Sequence, residues 1–266
     1  TSGIEMAPFD RNPYARPTMG AAPVADASVD MGLRSYMLSV YNYMAVGLVI
    51  TGVAALAIAN MAVPGNPDGA VAQLRDGQYL TQLGYSLYAS PLKWVVMLAP
   101  LGFIFFLGAR IGKMSTGAAQ MTFWAFAAIM GVSLSSIFLV YSSESIARVC
   151  CISAASFGAL SLWGYTTKKD LSGWGSFLFM GLVGVILASI VNIFLASSAL
   201  AFAVSVIGVL VFAGLTAYDT QRIKEMYYAG DDSTTQGRKA IMGALSLYLS
   251  FINMFVLLLS LFGNRE

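Results

Sequence analysis

Along most of this chain apolar residues run together instead of alternating with polar ones. From residue 37 onward they gather into stretches at 37–62, 92–112, 119–141, 146–165, 174–196, 199–218 and 240–263. Each is close to the roughly 20 residues an α-helix needs to cross the hydrocarbon of a bilayer. The pattern predicts an all-α, integral membrane seven-transmembrane-helix bundle over residues 36–266. The fifth and sixth stretches are parted only by Ser197 and Ser198, which reads as a tight turn between antiparallel helices. The region 63–91 carries Pro64, Gly65, Pro67 and Gly69, then a mixed stretch through Tyr88, and is the longest loop. Residues 1–35 show no apolar period. Pro8, Pro13, Pro17 and Pro23 interrupt any helix, so this segment reads as a flexible Pro-rich cytoplasmic tail. It is not read as a signal peptide, because no apolar core follows a basic start.

Composition supports the bilayer. Hydrophobic residues make up 58% of the chain, charged residues 11%, and the mean hydropathy is +0.72. A soluble domain carries roughly 25% charged residues, because its exterior must be wetted. The positions of lysine and arginine give an orientation. Arg11, Arg16 and Arg34 precede the first stretch, Arg110 and Lys113 follow the second, and Lys168 and Lys169 follow the fourth. Arg222, Lys224, Arg238 and Lys239 lie between the sixth and seventh, while the other side holds only Arg75, Lys93, Arg148 and Arg265. Seven spans with the N-terminus cytoplasmic and the C-terminus on the opposite side put every basic cluster on one face.

Several function classes drop out. The net charge of +2 offers no field for nucleic acid. The chain has no histidine, which removes imidazole bases, Ser-His-Asp triads and His-ligated haem or zinc. Cys150 and Cys151 are adjacent and read as small apolar residues within a helix. No enzyme, cofactor or metal centre is expected.

Ionisable groups inside a membrane are costly and are the first place to look for function. Asp219 stands at the end of the run Val206–Tyr218, near the cytoplasmic edge of the sixth span. On the seventh span Ser246, Ser250 and Asn253 fall at i, i+4 and i+7, on one helix face. Arg110 and Lys113 end the second span at a similar depth. Two readings stay open for Asp219: an ion-handling carboxylate, or an interfacial one that pins Arg110 or Lys113. The serine and asparagine face equally suits interhelical hydrogen bonding. Glu144 and Arg148, at i and i+4, read as a helix-end pair. The Gly108/Gly112 pair and the row Gly181, Gly184, Ala188 read as small residues that let helices pack closely within the bundle.

These residues carry a resemblance. Lys168-Lys169-Asp170-Leu171-Ser172, Val191-Asn192-Ile193-Phe194, Tyr218-Asp219 with Gln221 and Ile223, and above all Ala244-Leu245-Ser246-Leu247-Tyr248-Leu249 with Phe251-Ile252-Asn253 are similar to the Bax inhibitor (transmembrane Bax inhibitor motif) family of membrane proteins. The resemblance is best over the C-terminal half and does not cover the tail or the 63–91 loop. It implies seven helices, one central and wrapped by the others, and a calcium leak gated by pH. In the family the gate is an aspartate on each of the last two spans, with an arginine from the second. Two close carboxylates share a proton, so their titration reports pH. The first aspartate maps onto Asp219, and the basic partner onto Arg110 or Lys113. The second aspartate maps onto Ser250, a departure that removes the shared proton and half the negative charge.

Two functions follow as expectations. One is a passive cation leak, calcium foremost, with a weakened or absent pH gate. The other is a non-transporting partner of a membrane complex, such as the FtsH protease or a respiratory assembly, for which an unfolded tail gives a starting point. An intramembrane aspartyl protease needs two facing aspartates, and Ser250 removes the pair.

Overall fold

The computed structural model describes residues 21–64, 70–75 and 78–264, with side chains from residue 31 onward except at 74, 75 and 78. Seven long helices dominate: α1 (Ala21–Ala62), α2 (Leu92–Arg110), α3 (Thr116–Leu134), α4 (Ser143–Thr166), α5 (Gly175–Leu195), α6 (Ser198–Glu225) and α7 (Ser233–Phe262). All seven are long and apolar enough to cross a membrane. In hydrocarbon an unpaired backbone group costs several kcal/mol, so a spanning segment must pair its own amides and carbonyls, as a helix does.

The most apolar helix is not the most buried one. α7 packs on α1, α3, α4 and α6, and 56% of its membrane window is enclosed. For α5, which packs on α6, the figure is 11%, so α7 is the axis and α5 the periphery. Around α7 the remaining helices pair as α1 with α3, α2 with α3, α4 with α6, and α5 with α6. That arrangement leaves lateral gaps between α2 and α5 and between α1 and α4.

At the centre Tyr248 is fully buried, edge-on to Phe123 and Phe126 with ring centroids 5.7 Å away from each. Its hydroxyl lies 2.6 Å from Thr51 Oγ1, which donates to the Ala127 carbonyl at 2.9 Å. The polar tip thus finds protein partners inside the core and ties α7, α1 and α3 together.

Lipid tails are as apolar as leucine, so close contact rather than water exclusion drives helix association. Gly131 of α3 sits against α1, where an added Cβ would lie 2.5 Å from the Thr51 carbonyl. Gly164 of α4 sits against the Ala217 backbone of α6 just as tightly. These close approaches fall at glycines the sequence reading did not select. Gly108, Gly112 and Gly184 instead have nothing within 4 Å of a Cβ position, so they do not serve packing within the bundle. Gly181 does, against Val211, and Ala188 packs in the α5–α6 contact.

Helix ends depart from the apolar stretches because helix formation does not stop where hydrocarbon does. α6 runs on through Gln221, Arg222, Lys224 and Glu225, all adequate helix formers. α7 begins at Ser233 under Asp232, whose Oδ2 accepts from the Thr234 and Thr235 amides. Bonds from the Thr235 hydroxyl and from these amides hold the Asp232 carboxyl below the usual carboxylate range. α1 begins at Ala21, inside the segment assigned to the tail, with Pro23 in its first turn, where no amide is needed. The rest of that assignment, residues 1–20, lies outside the described residues.

The described residues of the 63–91 loop are structured. An antiparallel hairpin, β1 (Ala72–Arg75) with β2 (Gln78–Leu80), leads into a helical turn over 82–89. Thr81 donates from its hydroxyl to the Met61 carbonyl at 2.8 Å and from its amide to the Ala62 carbonyl at 3.0 Å. The loop therefore closes the C-terminal end of α1, where carbonyls lack helical partners. Tyr88 reaches Ser135 at 2.7 Å, and burial raises its phenol above the usual range.

The turn between α5 and α6 is as short as the two serines imply. The Ser197 hydroxyl caps α6 by accepting from Leu200, and Asn192 Oδ1 accepts from the Ser197 amide. Between them Ala196 adopts φ 49°, a left-handed conformation that a Cβ disfavours. Ala196→Gly is expected to stabilise the protein by roughly 1 kcal/mol, read as a rise in thermal midpoint in detergent. An unchanged or lower midpoint would count against strain at this turn.

Candidate functional site

The sixth helix presents three neighbouring polar residues to three different partners. Thr220 faces α4, where its Oγ1 lies 2.9 Å from Ser161 Oγ. Gln221 binds the α4–α5 connection in both directions: its Nε2 donates to the Lys169 carbonyl at 2.8 Å and its Oε1 accepts from the Leu171 amide at 2.7 Å. Asp219 faces α7. Successive residues on a helix point about 100° apart, so a polar triplet at one level can serve three neighbours.

Asp219 is the only buried carboxylate among the described residues, with 8% exposure. Its Oδ2 accepts from the Ser246 hydroxyl at 2.8 Å, and the Ser250 hydroxyl stands at 3.5 Å, the outer limit of a bond. The i, i+4 spacing of the two serines puts both hydroxyls against one oxygen. Asn253 shares their face but spends its side-chain amide on the Leu249 carbonyl of its own helix, at 2.8 Å. It lines the same cavity without reaching Asp219.

Two cavities meet at this carboxylate. The larger, about 640 Å³, fills the gap between α2 and α5. Its walls include Met97, Pro100 and Leu101 of α2 and Phe179 and Ile186 of α5, and α6 and α7 close it behind. The smaller, about 120 Å³, lies toward the Arg222 end, between Met226 and Met242. Asp219, Arg222 and Ser246 line both.

The basic residues are placed differently from one another. Arg110 and Lys113 are exposed at the end of α2 and form no ion pair among the described residues. Arg222, one turn beyond Asp219 on α6, is the cation in the cavity wall. Its i, i+3 position relative to Asp219 was legible in the sequence and is the signal the reading passed over. Arg238, Lys239 and Lys224 act as struts: they donate to the carbonyls of Gly112 at 2.6 Å, Met226 at 3.0 Å and Tyr165 at 2.9 Å. At the opposite end Arg148 binds Ser145 Oγ at 3.2 Å and forms no ion pair with Glu144 among the described residues. Cys150 and Cys151 are free thiols on the exposed side of α4. No group of three His, Cys, Asp or Glu side chains converges among the described residues.

The motif residues have plain structural work beside this. Asp170 accepts from the Ser172 amide at 2.8 Å, and the Ser172 hydroxyl and amide hold its carboxyl below the usual range. Asn192 closes the α5–α6 turn.

Comparison with known proteins gives concordant matches. Residues 33–266 match the family described as inhibitor of apoptosis-promoting Bax1. An uncharacterised protein of Caulobacter vibrioides is 48% identical over 98% of this chain and all of its own length. The inner membrane protein YbhL of Escherichia coli K12 is 44% identical over 93% of this chain and all of its own length. The uncharacterised protein RP147 of Rickettsia prowazekii is 44% identical over 89% of this chain and 92% of its own.

Proposed function

The chain belongs to the Bax inhibitor family, and from that premise we propose that it is a passive cation leak of the bacterial inner membrane, calcium foremost, passing at Asp219. The observation that carries the reading is the position of that carboxylate at the junction of two cavities, faced by two hydroxyls. A calcium ion prefers 6–8 oxygen ligands. One carboxylate and two hydroxyls supply too few to retain it, and water in the cavities completes the shell. Weak, incomplete coordination suits transit rather than storage, because conduction needs a site that an ion can leave. The N-terminus is cytoplasmic in this reading, since the basic residues gather at the Arg222 end.

Purified protein in liposomes should release or admit calcium faster than empty vesicles. Flux no greater than that of empty vesicles would remove the leak. It would favour the alternative, an accessory subunit of a membrane complex such as the FtsH protease or a respiratory assembly, to be sought by gentle solubilisation and identification of co-purifying chains. The protein acts without a cofactor and is not an enzyme in either reading.

Ser250 sets the expected pH response. With a single carboxylate there is no like-charged partner to share a proton, and flux should vary little across the range where carboxylate pairs titrate. Ser250→Asp places a second carboxylate beside Asp219. Below its titration step the pair holds one shared proton and one negative charge; above it, two charges. The variant should therefore show a step in flux with pH that the native protein lacks. A steep step in the native protein, or none in the variant, would contradict this account of the gate.

A further inference from the structure

The gap between α1 and α4 plays no part in the Asp219 pathway. It is a cavity of about 550 Å³. On α1, Arg34, Leu38 and Tyr41 fall at i, i+4 and i+7, and on α4, Gly158, Leu162 and Tyr165 repeat that spacing, so each helix turns one face to the gap. The gap exists because α1 leans on α3 and α7 while α4 leans on α6 and α7. Its floor includes buried Phe157, and at Gly158 nothing stands within 4 Å of a Cβ position. Its lips, Leu38 and Leu162, are exposed.

Polarity is confined to one end. The Tyr41 hydroxyl is satisfied by Ser161 Oγ at 2.7 Å, and Ser161 in turn lies 2.9 Å from Thr220 Oγ1, so that wall offers a ligand no free partner. Arg34 is different. It is exposed at the basic end of the bundle and forms no ion pair among the described residues. Nearby, Lys224 is committed to the wall: it donates to the Tyr165 carbonyl at 2.9 Å and stands 5.1 Å over the Tyr165 ring, which leaves Arg34 as the cation that lines the gap.

We propose that this gap seats one anionic phospholipid, with its phosphodiester at Arg34 and an acyl chain running past Leu38 over Gly158. Basic sites between membrane helices, at the level of the headgroups, hold acidic lipid. One charged position, Arg34, above an otherwise apolar trough matches one headgroup above one chain. An acyl chain is slim enough to lie along it, and it already surrounds the open lips.

The test is native mass spectrometry of the full-length protein in mild detergent with phosphatidylglycerol or phosphatidylcholine of identical chains. The native protein should retain phosphatidylglycerol about fivefold better, the factor conferred by one basic side chain at an anionic surface. Arg34→Gln should equalise the two lipids. Lys168→Gln, which removes an exposed cation outside the gap, should keep the preference. Gly158→Leu should lower retention of both lipids, and Leu162→Trp on the lip gives the same reading if the first variant does not fold. Equal retention by the native protein overturns the assignment. So does a preference that survives Arg34→Gln, one lost equally in Lys168→Gln, or a co-purifying polypeptide displaced by Gly158→Leu in place of lipid.

Discussion

Asp219→Asn is expected to lower calcium flux in proteoliposomes by about tenfold or more. The amide keeps the size and the acceptor oxygen that Ser246 and Ser250 address, so the cavities should persist while the charge goes. A unit charge pair 4 Å apart is worth about 4 kcal/mol at an effective dielectric of 20. Part of that is offset by the water a cation sheds. Even a third of it, about 1.4 kcal/mol, is a factor of ten in an equilibrium constant, and the same factor holds for a barrier. Ser246→Ala should do less, because it removes one neutral donor and leaves the carboxylate. The comparison separates the two open readings of Asp219. An interfacial carboxylate with a purely structural role predicts a lower thermal midpoint for Asp219→Asn and unchanged flux per folded protein. That result would end the leak proposal at this site.

The second large effect concerns stability. Gly164→Ala is expected to destabilise the bundle by about 1–3 kcal/mol or more, seen as a lower thermal midpoint or as failure to purify as a monodisperse species. The added Cβ meets the backbone of Ala217, which cannot rotate aside, so α4 and α6 must separate. That separation also pulls Ser161 from Thr220 and Gln221 from the Lys169 carbonyl. Gly184→Ala is the matched control on α5, with open space at its Cβ position. It should be neutral or stabilising by about 0.5–1 kcal/mol through helix propensity alone. Equal effects at the two sites would show that close approach at Gly164 does not hold the helices together.

The spans were legible because bilayer thickness sets a length that apolar runs reveal directly. The convergence of Ser246 and Ser250 was legible because helical spacing is arithmetic. What escaped the sequence has physical causes. The helical continuations of α6 and α1 lie in polar stretches, where hydropathy is silent about conformation. The hairpin at Ala72–Leu80 is a few residues long, and its legible signal, Asp76-Gly77 between two short alternating runs, was passed over. Gly131 and Gly164 look like any other membrane glycine until their neighbours are known, while the GxxxG spacing of Gly108 and Gly112 draws the eye to positions whose Cβ direction is open. Arg222 was overlooked because the resemblance pointed to the second span. The structure instead puts a cation from Asp219's own helix in the cavity wall.

The peripheral place of α5 has a mechanical meaning. One wall of the Asp219 cleft is a helix held mainly by α6 and by the short Ala196-Ser197 turn. Its outer face meets lipid, and what holds it against outward movement is the close packing on α6, as where Val211 meets Gly181. The width of the cleft therefore depends on a single helix pair on that side, with the surrounding bilayer bearing directly on the wall.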